Sequence, residues 1–305
     1  MTMKKTTLLF LFICALSSAQ VQRFIYEYKF IPDSTNRENV IKEMMLLNIE
    51  KKGSHYYSLD KFQQDSINRA DLEKQINSGS NSLNIQRREK KGFIGDKVSK
   101  EYPDFKVFLS TSLGQDKYRV LEDQKPEWKI FPDQQKFGNY QGQKAITNFG
   151  GRQWTAWFST DLPFQDGPYK FYGLPGLIIK ITDASGDFDM TLIGNKTIDK
   201  EAENEEVTSG TTGGKRFNFG GKEIEITEKQ FKKVWRDYLA DPTKNMRQMM
   251  GSSTGADGST VTKVIKMRDA SGKELDQNQM FKTMEKVIKE REAKNNNKIE
   301  PTLYK

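Results

Sequence analysis

The chain has 305 residues and a formal net charge of +8, from 49 basic and 41 acidic side chains. These charges are mixed along the sequence, whereas nucleic-acid binding requires a clustered basic stripe with interleaved aromatic residues, so we expect no nucleic-acid partner. The only cysteine is Cys14. Once the N-terminal segment is removed, the chain can form neither disulfides nor thiolate zinc sites and has no cysteine nucleophile.

Residues 1–19 have the pattern of a secretory signal peptide. Two lysines precede an apolar run over residues 8–16, and small residues follow up to Ala19. The run is shorter than the roughly 20 apolar residues that cross a bilayer, and no later segment approaches that length. We therefore predict an exported protein, periplasmic or secreted, with no transmembrane segment after cleavage. Residues 20–305 then form a single β-rich domain with a C-terminal helical segment.

The first elements of the mature chain are strands. Residues 23–31 alternate between apolar and polar, which places four aromatic side chains on one face: Phe24, Tyr26, Tyr28 and Phe30. A hairpin is predicted over 43–59 around Lys52-Gly53, with the glycine at a positive φ. A helix over 61–76 follows, capped by Asp60. Its apolar stripe comprises Phe62, Ile67, Leu72 and Ile76.

Short strands at regular spacing come next, and such spacing is typical of an antiparallel meander. The predicted strands span 97–101, 105–112, 117–122 and 127–131. Residues 143–149 and 152–158 form the strongest hairpin signal, because Gly150-Gly151 between them suits a I′ or II′ turn. Both faces of the second strand carry a tryptophan, so we expect both faces to be covered.

A further hairpin is predicted over 177–192, across the turn residues 183–186. The same turn residues recur at 269–272 and predict a late hairpin or strand end there. Residues 201–215 have no core-forming pattern and are predicted to be a loop.

Helices dominate the C-terminal part. Thr227 and Gln230 form a capping box at the start of one helix, and others are predicted over 243–250 and 276–291. Leu303 and Tyr304 are expected to dock back onto the domain. The complete pattern predicts a mainly β (α+β) fold, which is a curved antiparallel meander sheet or open barrel with flanking and C-terminal helices.

The rest of the chain is organised around the apolar hexapeptide Gly173-Leu174-Pro175-Gly176-Leu177-Ile178. Pro175 presets a negative φ and Gly176 accepts a positive one, so residues 174–177 are predicted to form a type II turn. A loop tip is normally polar. We therefore expect Leu174 and Leu177 to be buried, and the turn to be a structural motif on which the central hairpin depends.

This stretch resembles the GLPGLI family of exported bacterial proteins, which is named for the hexapeptide. The resemblance extends upstream through Gly151-Arg152, Ala156-Trp157-Phe158, Leu162-Pro163 and Gly167-Pro168, and downstream to Asp183 and Phe188. Tyr26-Glu27-Tyr28 and the asparagine-rich tail are also similar to the family. The family is typical of Bacteroidetes-type bacteria and lacks an established activity. It is similar to the N-terminal, non-catalytic domain of type II peptide N-glycosidase F, so the resemblance implies an extracytoplasmic β-rich domain and assigns no catalytic residue.

The sequence offers little that points to catalysis or to metal binding. His55 is the only histidine, and no nucleophile-elbow motif accompanies it. Zinc would need an unusual carboxylate-rich site, so we predict no metal and no cofactor. Several acids cluster around the central stretch, and paired acids can hydrolyse glycosides or bind calcium, although turns use aspartate as well. These acids are Asp161, Asp166, Asp183, Asp187 and Asp189.

We therefore favour a non-enzymatic cell-envelope domain that binds a protein, peptide or glycan of unknown identity. The candidate binding residues offer large aromatic surfaces and one cation, although core packing is the ordinary use of each. They are Arg152, Trp154, Trp157, Tyr169, Phe171 and Tyr172. One alternative is a glycan- or glycopeptide-acting hydrolase that uses Asp161, Asp166 and Asp183. A second alternative is a carrier of a small apolar ligand or lipid, if the concave side of the sheet stays unfilled.

Overall fold

The computed structural model describes residues 20–78, 92–199, 223–251, 253–254, 260–261 and 276–305. The predictions of a signal peptide over 1–19 and of a loop over 201–215 lie outside these residues. So do most of the late hairpin predicted around 269–272 and the side chains of Leu72 and Ile76.

Among the described residues, twelve strands form one large sheet and two short strands form a separate pair. The sheet contains β1 (Gln20–Phe30), β2 (Ile41–Glu50), β3 (Gly53–Ser58), β4 (Lys97–Glu101), β5 (Lys106–Leu113), β6 (Asp116–Leu121), β7 (Lys129–Phe137), β8 (Tyr140–Phe149), β9 (Arg152–Ser159), β10 (Leu177–Asp183), β11 (Phe188–Asp199) and β12 (Ile224–Thr227). The separate pair is β13 (Ser253–Thr254) and β14 (Thr260–Val261).

The sheet is two meanders joined at its centre. Its strand order is β12-β6-β5-β4-β3-β2-β1-β11-β10-β9-β8-β7, and β1 pairs with β11 over its whole length. Every pairing is antiparallel except that of β12 with β6. The sheet does not close, since β12 and β7 are its two ends. The predicted mainly β fold with an antiparallel meander is therefore confirmed.

The described helices are α1 (Leu59–Asn77), α2 (Glu228–Ala240), α3 (Lys244–Gly251) and α4 (Gln277–Ala293). The predicted capping box is confirmed, because Thr227 and Gln230 exchange their side-chain to backbone hydrogen bonds at the start of α2. The C-terminal tail docks as expected. Leu303 is buried, and the ring of Tyr304 packs against Trp235 of α2 at a centroid distance of 5.0 Å.

The aromatic alternation of β1 faces the core, as predicted: Phe24, Tyr26, Tyr28 and Phe30 are all buried. The segment between β9 and β10, residues 160–176, lies across this face, and we call it the inner loop. Phe164 of the inner loop packs on Phe24 at 5.3 Å, and Phe171 packs on Trp154 at 4.9 Å. The face that carries the inner loop is the inner face of the sheet. No helix within the described ranges is both long and apolar enough to span a membrane.

Two local predictions in the β2–β3–α1 region are wrong. Gly53 does not have a positive φ; instead, a Cβ at this position would lie 2.2 Å from the backbone oxygen of Lys100, so the glycine is needed for close strand approach. The cap of α1 is Ser58 rather than Asp60, because the Ser58 hydroxyl accepts from the backbone N–H of Lys61 at 3.2 Å.

The hairpin between β8 and β9 is confirmed. Gly150 and Gly151 both have positive φ, at 63° and 89°, which a type I′ turn requires. The turn also receives the C-terminal tail, since a Cβ on Gly150 would lie 2.5 Å from the Glu300 side chain. The expectation that both faces of β9 are covered holds only on the inner face, where Trp154 is fully buried, whereas Trp157 on the opposite face is partly exposed.

Candidate functional site

The hexapeptide forms the end of the inner loop, and its conformation differs from the prediction. Leu174 and Leu177 are buried, as expected. The type II turn is wrong, however, because the positive φ belongs to Gly173, at 92°, and not to Gly176. A Cβ on Gly176 would lie 2.2 Å from the backbone oxygen of Ser159, so this glycine lets the loop return directly against the end of β9.

The inner loop is fastened to β4 by a buried ion pair. The Lys100 ammonium binds the carboxylate of Asp166 and donates a second hydrogen bond to the backbone oxygen of Gly167 at 2.6 Å. The hydroxyl of Tyr102 also donates to Asp166. Both charged side chains are 1% exposed. Burial lowers the pKa of Lys100, and the nearby Asp166 offsets only part of that effect.

A second buried lysine fastens the other half of the inner loop. Lys170 binds Glu122, just after β6, at 2.6 Å and Glu300 of the C-terminal tail at 2.7 Å. Tyr169 donates its hydroxyl to the same Glu300 carboxylate. Burial would lower the pKa of Lys170, but the carboxylates of Glu300 and Glu122 together raise it above its ordinary value.

Glu228, the first residue of α2, completes this cluster. Burial and a hydrogen bond with Glu122 raise the pKa of Glu228 to about 8, so its carboxyl group is protonated at neutral pH. Glu122 keeps its charge, because Lys170 and several hydrogen bonds outweigh its burial and hold its pKa below the ordinary value. The pair therefore shares one proton between β6 and α2.

Carboxylate oxygens of Glu122, Glu228 and Glu300 lie within 4.8 Å of one another, a spacing that would suit a metal ion. The ammonium of Lys170 already binds two of these three groups. It supplies the positive charge that a cation would otherwise provide. This cluster therefore links the inner loop to the end of β6, to α2 and to the C-terminal tail.

Arg152 is a third anchor, at the start of β9. Its guanidinium binds Asp183 at 2.9 Å, the backbone oxygen of Lys298 and the side-chain oxygen of Asn297. It also lies over the ring of Phe188 at 4.5 Å. Arg152 thus ties the β10–β11 hairpin to the C-terminal tail.

The six candidate binding residues are divided between the inner face and the opposite, outer face. Trp154 and Phe171 are fully buried, and Tyr169 and Tyr172 are 8% exposed. Tyr172 stacks in parallel on Phe105 at 4.6 Å. Of the six, Trp157 presents its aromatic side chain on the outer face of the sheet. A ligand at the surface therefore meets Trp157 before it meets the other aromatic candidates.

The acids of the hydrolase alternative are not gathered into one site. Asp166 is bound by Lys100, Asp183 accepts from Arg152 and from two backbone N–H groups of its own turn, and Asp161 lies exposed near Ser159. Asp187 binds Arg37 at 2.5 Å, and Asp189 binds Lys180 at 2.8 Å. His55 lies on the exposed side of β3. Four of these five aspartates thus bind a lysine or arginine that belongs to the fold.

The outer face carries a different set of groups near the β7 end of the sheet. The ring of Phe137 lies 5.4 Å from Trp157, and the ammonium groups of Lys129 and Lys144 lie over Phe131 at 5.3 and 5.8 Å. We call these five residues the outer patch. They come from β7, β8 and β9, and they combine aromatic surface with positive charge.

Two depressions on the surface of the described residues are small and open. A depression of about 340 Å³ lies beside the Gly150-Gly151 turn and is lined mainly by polar groups, including Gln124, Asn148 and Gln153. A second, of about 210 Å³, lies between the β5–β6 turn and α2–α3. Neither is a large apolar cavity on the inner face, which the inner loop fills. The lipid-carrier alternative required such a cavity.

Sequence reasoning did not identify Lys100, Lys170, Glu122, Glu228 or Glu300. One signal was available for Lys100, because it follows Val98 by two residues on β4 and so occupies an inward position of the alternation. Nothing in the local sequence distinguishes Lys170 or Glu300 from surface residues. Their partners come from elements that are far apart in the chain.

Comparisons with known proteins cover part of the chain. Residues 150–180 match a family described as "Protein of unknown function (Porph_ging)", and this region spans the β8–β9 turn, β9, the inner loop and the start of β10. The hexapeptide at 173–178 lies within it. No curated protein is significantly similar to the chain in sequence.

Two crystal structures of PNGF-II, in space groups P21 and C2, are similar in fold at 14% sequence identity and TM-scores of 0.46 and 0.47. The similarity covers 71% of this chain but only 33% and 32% of the PNGF-II chains. The chain thus matches about a third of the length of PNGF-II. A similarity of this size identifies neither a ligand nor a reaction for this chain.

Proposed function

We propose that this protein is an exported, GLPGLI-type cell-envelope protein whose mature domain is a non-enzymatic binding module. The observation that supports the proposal is the contrast between the two faces of the sheet. The inner face is filled, and Lys100 and Lys170 are paired there with acids. The outer patch instead offers aromatic rings, which are enriched at recognition surfaces, together with two lysines that can orient a charged partner.

The binding surface of this proposal is the outer patch, with Trp157 as its centre. Tryptophan supplies a large contact area with little loss of side-chain entropy, and neighbouring lysines supply orientation by charge. Arg152, Tyr169 and Phe171 act behind this surface, because they hold β9 and the inner loop in place.

The binding experiment uses purified residues 20–305 and isolated cell-envelope material, with co-sedimentation as the measurement. We expect wild type to co-sediment and Trp157→Ala to lose most of its binding. Phe93→Ala is the matched control, since Phe93 is an aromatic side chain that is 48% exposed outside the outer patch. Equal binding of wild type and Trp157→Ala would contradict the proposed surface.

Export is tested separately. The full-length chain is expressed in its own kind of host, the cell is fractionated, and the N-terminus of the recovered protein is determined by mass spectrometry. We expect recovery outside the cytoplasm with an N-terminus at or near Gln20. An intact N-terminus in the cytoplasmic fraction would refute export.

A further inference from the structure

The two ends of the open sheet are very different. β12 is four residues long and continues directly into α2, whereas β7 is nine residues long and, among the described strands, pairs with β8 alone. Seven of the nine residues of β7 are exposed. A long edge strand presents unpaired backbone groups to which another extended chain can pair. The β7 edge is therefore the open end of the sheet.

The hairpin register shows which backbone groups are open. Phe137 and Tyr140 flank the two-residue loop Gly138-Asn139, in which Gly138 has a positive φ of 56°. In such a hairpin the residues next to the loop bond to each other, and alternate residues then point their backbone groups away from the partner strand. The N–H and C=O groups of Lys136 and Gln134 thus face the open edge.

The charge of this edge is positive, and the described residues supply no acidic partner for its lysines. From 129 to 149, β7, β8 and their loop contain three lysines and one acid, Asp133. In the part of the chain that the structure describes, no acid forms an ion pair with Lys129, Lys136 or Lys144. This distinguishes them from Lys100, Lys170 and Lys180, each of which binds a carboxylate.

We propose that β7 is the docking edge for an acidic, extended polypeptide segment, which adds as a further strand beside residues 133–137. The segment would pair with the open backbone groups of Gln134 and Lys136 and place its acidic side chains near Lys136. Lys129 and Lys144 lie on the opposite face of the hairpin, where Lys144 pairs with Trp157, and they add to the positive charge of this edge. Pro132 has no N–H, so pairing begins after it. This inference rests on the proposed binding function and names the partner class for the same end of the sheet.

Two other occupants fit this edge less well. A second copy of β7 would bring lysines against lysines, and like charges on directly opposed strands are destabilising. The irregular register between Ile130 and Gln134 also disfavours a regular pairing of two β7 strands. An anionic polysaccharide could meet the lysines but lacks backbone amides at the spacing of a strand, which is about 7 Å for alternate residues.

The first experiment leaves the protein unchanged and varies the peptide. Three probes are measured by fluorescence anisotropy: the peptide Glu-Val-Glu-Val-Glu-Val-Glu, the same peptide with every Glu replaced by Lys, and the acidic peptide with every amide N-methylated. We expect the acidic peptide to bind and the lysine peptide not to bind. N-methylation should weaken binding of the acidic peptide by about tenfold or more, because the methylated chain cannot donate hydrogen bonds to β7.

The second experiment varies the protein. Lys136→Glu should weaken binding of the acidic peptide. Lys106→Glu, which reverses the charge of an exposed side chain on β5, should leave that binding unchanged. Gln134→Pro removes an edge N–H and should also weaken binding, with Gln134→Ala as its control and thermal unfolding as the test that both remain folded.

The outcomes separate this inference from the proposed function. Equal binding of the methylated and unmethylated acidic peptides would mean attraction by charge alone and would overturn strand addition. No binding of the acidic peptide would overturn it as well. If Trp157-dependent binding to envelope material persists in either case, the proposed function stands without this partner class; if that is also absent, both are wrong.

Discussion

The inner and outer faces of the sheet use their charged side chains in opposite ways. On the inner face, the Lys100 ammonium is held by Asp166 and by the backbone oxygen of Gly167. The Lys170 ammonium is held there by Glu122 and Glu300. On the outer face, Lys129 and Lys144 contact an aromatic ring and no acid within the residues described. A buried charge must be paired inside the fold, whereas an exposed one is available to a partner. Stability and binding are therefore expected to depend on different faces.

The two buried lysines themselves differ. Lys100 faces one carboxylate, and burial leaves its pKa lowered, whereas Lys170 faces two and has a raised pKa. The second carboxylate thus accounts for the opposite direction of the pKa shift of Lys170. The predictions below test the division between the faces, beginning with the ion pair of Lys100.

The largest effect is expected at the Lys100–Asp166 pair. Asp166→Ala leaves a buried ammonium without its counter-ion and should lower the free energy of unfolding by about 3–5 kcal/mol. Urea unfolding measures it. The half-exposed pair of Lys180 and Asp189 is the control, and Lys180→Ala should cost about 1 kcal/mol or less. The double variant Lys100→Met/Asp166→Leu should recover much of the loss; no recovery would mean that the charge itself is not the cause.

The next effect concerns the hexapeptide. Leu177→Ala removes a fully buried side chain and should cost about 2–5 kcal/mol through lost burial and the remaining cavity. Thermal unfolding checks it. If the variant melts within a degree of wild type while binding to envelope material is lost, the hexapeptide is a recognition loop rather than a structural element.

Gly173 and Gly176 allow a sharper comparison within the same loop. Gly176→Ala places a Cβ against the backbone of Ser159 and should cost about 1–3 kcal/mol by overpacking. At Gly173 a Cβ meets open space, so Gly173→Ala should cost only about 1 kcal/mol, from its positive φ. The ranking is measured by urea unfolding at constant pH. The reverse order would show that the conformation of the loop, and not its close approach to β9, decides its stability.

Glu228 should make stability depend on pH. Its pKa is about 8 in the folded protein against 4.5 when unperturbed, so between these values the folded state holds a proton that the unfolded state has released. Stability should therefore fall as pH rises from about 4.5 to about 8. Glu228→Gln cannot titrate and should give a flatter profile of unfolding midpoint over this window. Parallel profiles of variant and wild type would contradict the shared proton of Glu122 and Glu228.

The smallest effect on stability is expected at the outer patch. Trp157→Ala should change the free energy of unfolding by about 1 kcal/mol or less, because the side chain is already partly exposed. Its loss of envelope binding should nevertheless be the largest among these variants. A stability loss as great as that of Leu177→Ala would place Trp157 in the core and remove the contrast between the two faces.

The sequence alone determined the elements whose cause is local. The alternation of β1, the capping box at Thr227 and the Gly150-Gly151 turn follow from periodicity and from the φ and ψ values that neighbouring residues allow. The burial of Leu174 and Leu177 was likewise predictable, because an apolar loop tip must find a core. The alternation of β9 also predicted that Trp154 and Trp157 lie on opposite faces, whereas the burial of Tyr169, Phe171 and Tyr172 depends on the path of the inner loop.

Only the tertiary structure decided what depends on contacts between distant parts of the chain. Gly53 and Gly176 were expected to supply positive φ. Each is needed instead because a backbone oxygen of another strand would lie 2.2 Å from an added Cβ, and local sequence rules do not detect such a contact. Lys170 reads as a surface lysine until Glu122 and Glu300 are brought to it from 48 and 130 residues away. A side chain's charge is set by its own chemistry, but whether it can be buried is set by the partners that the complete fold supplies.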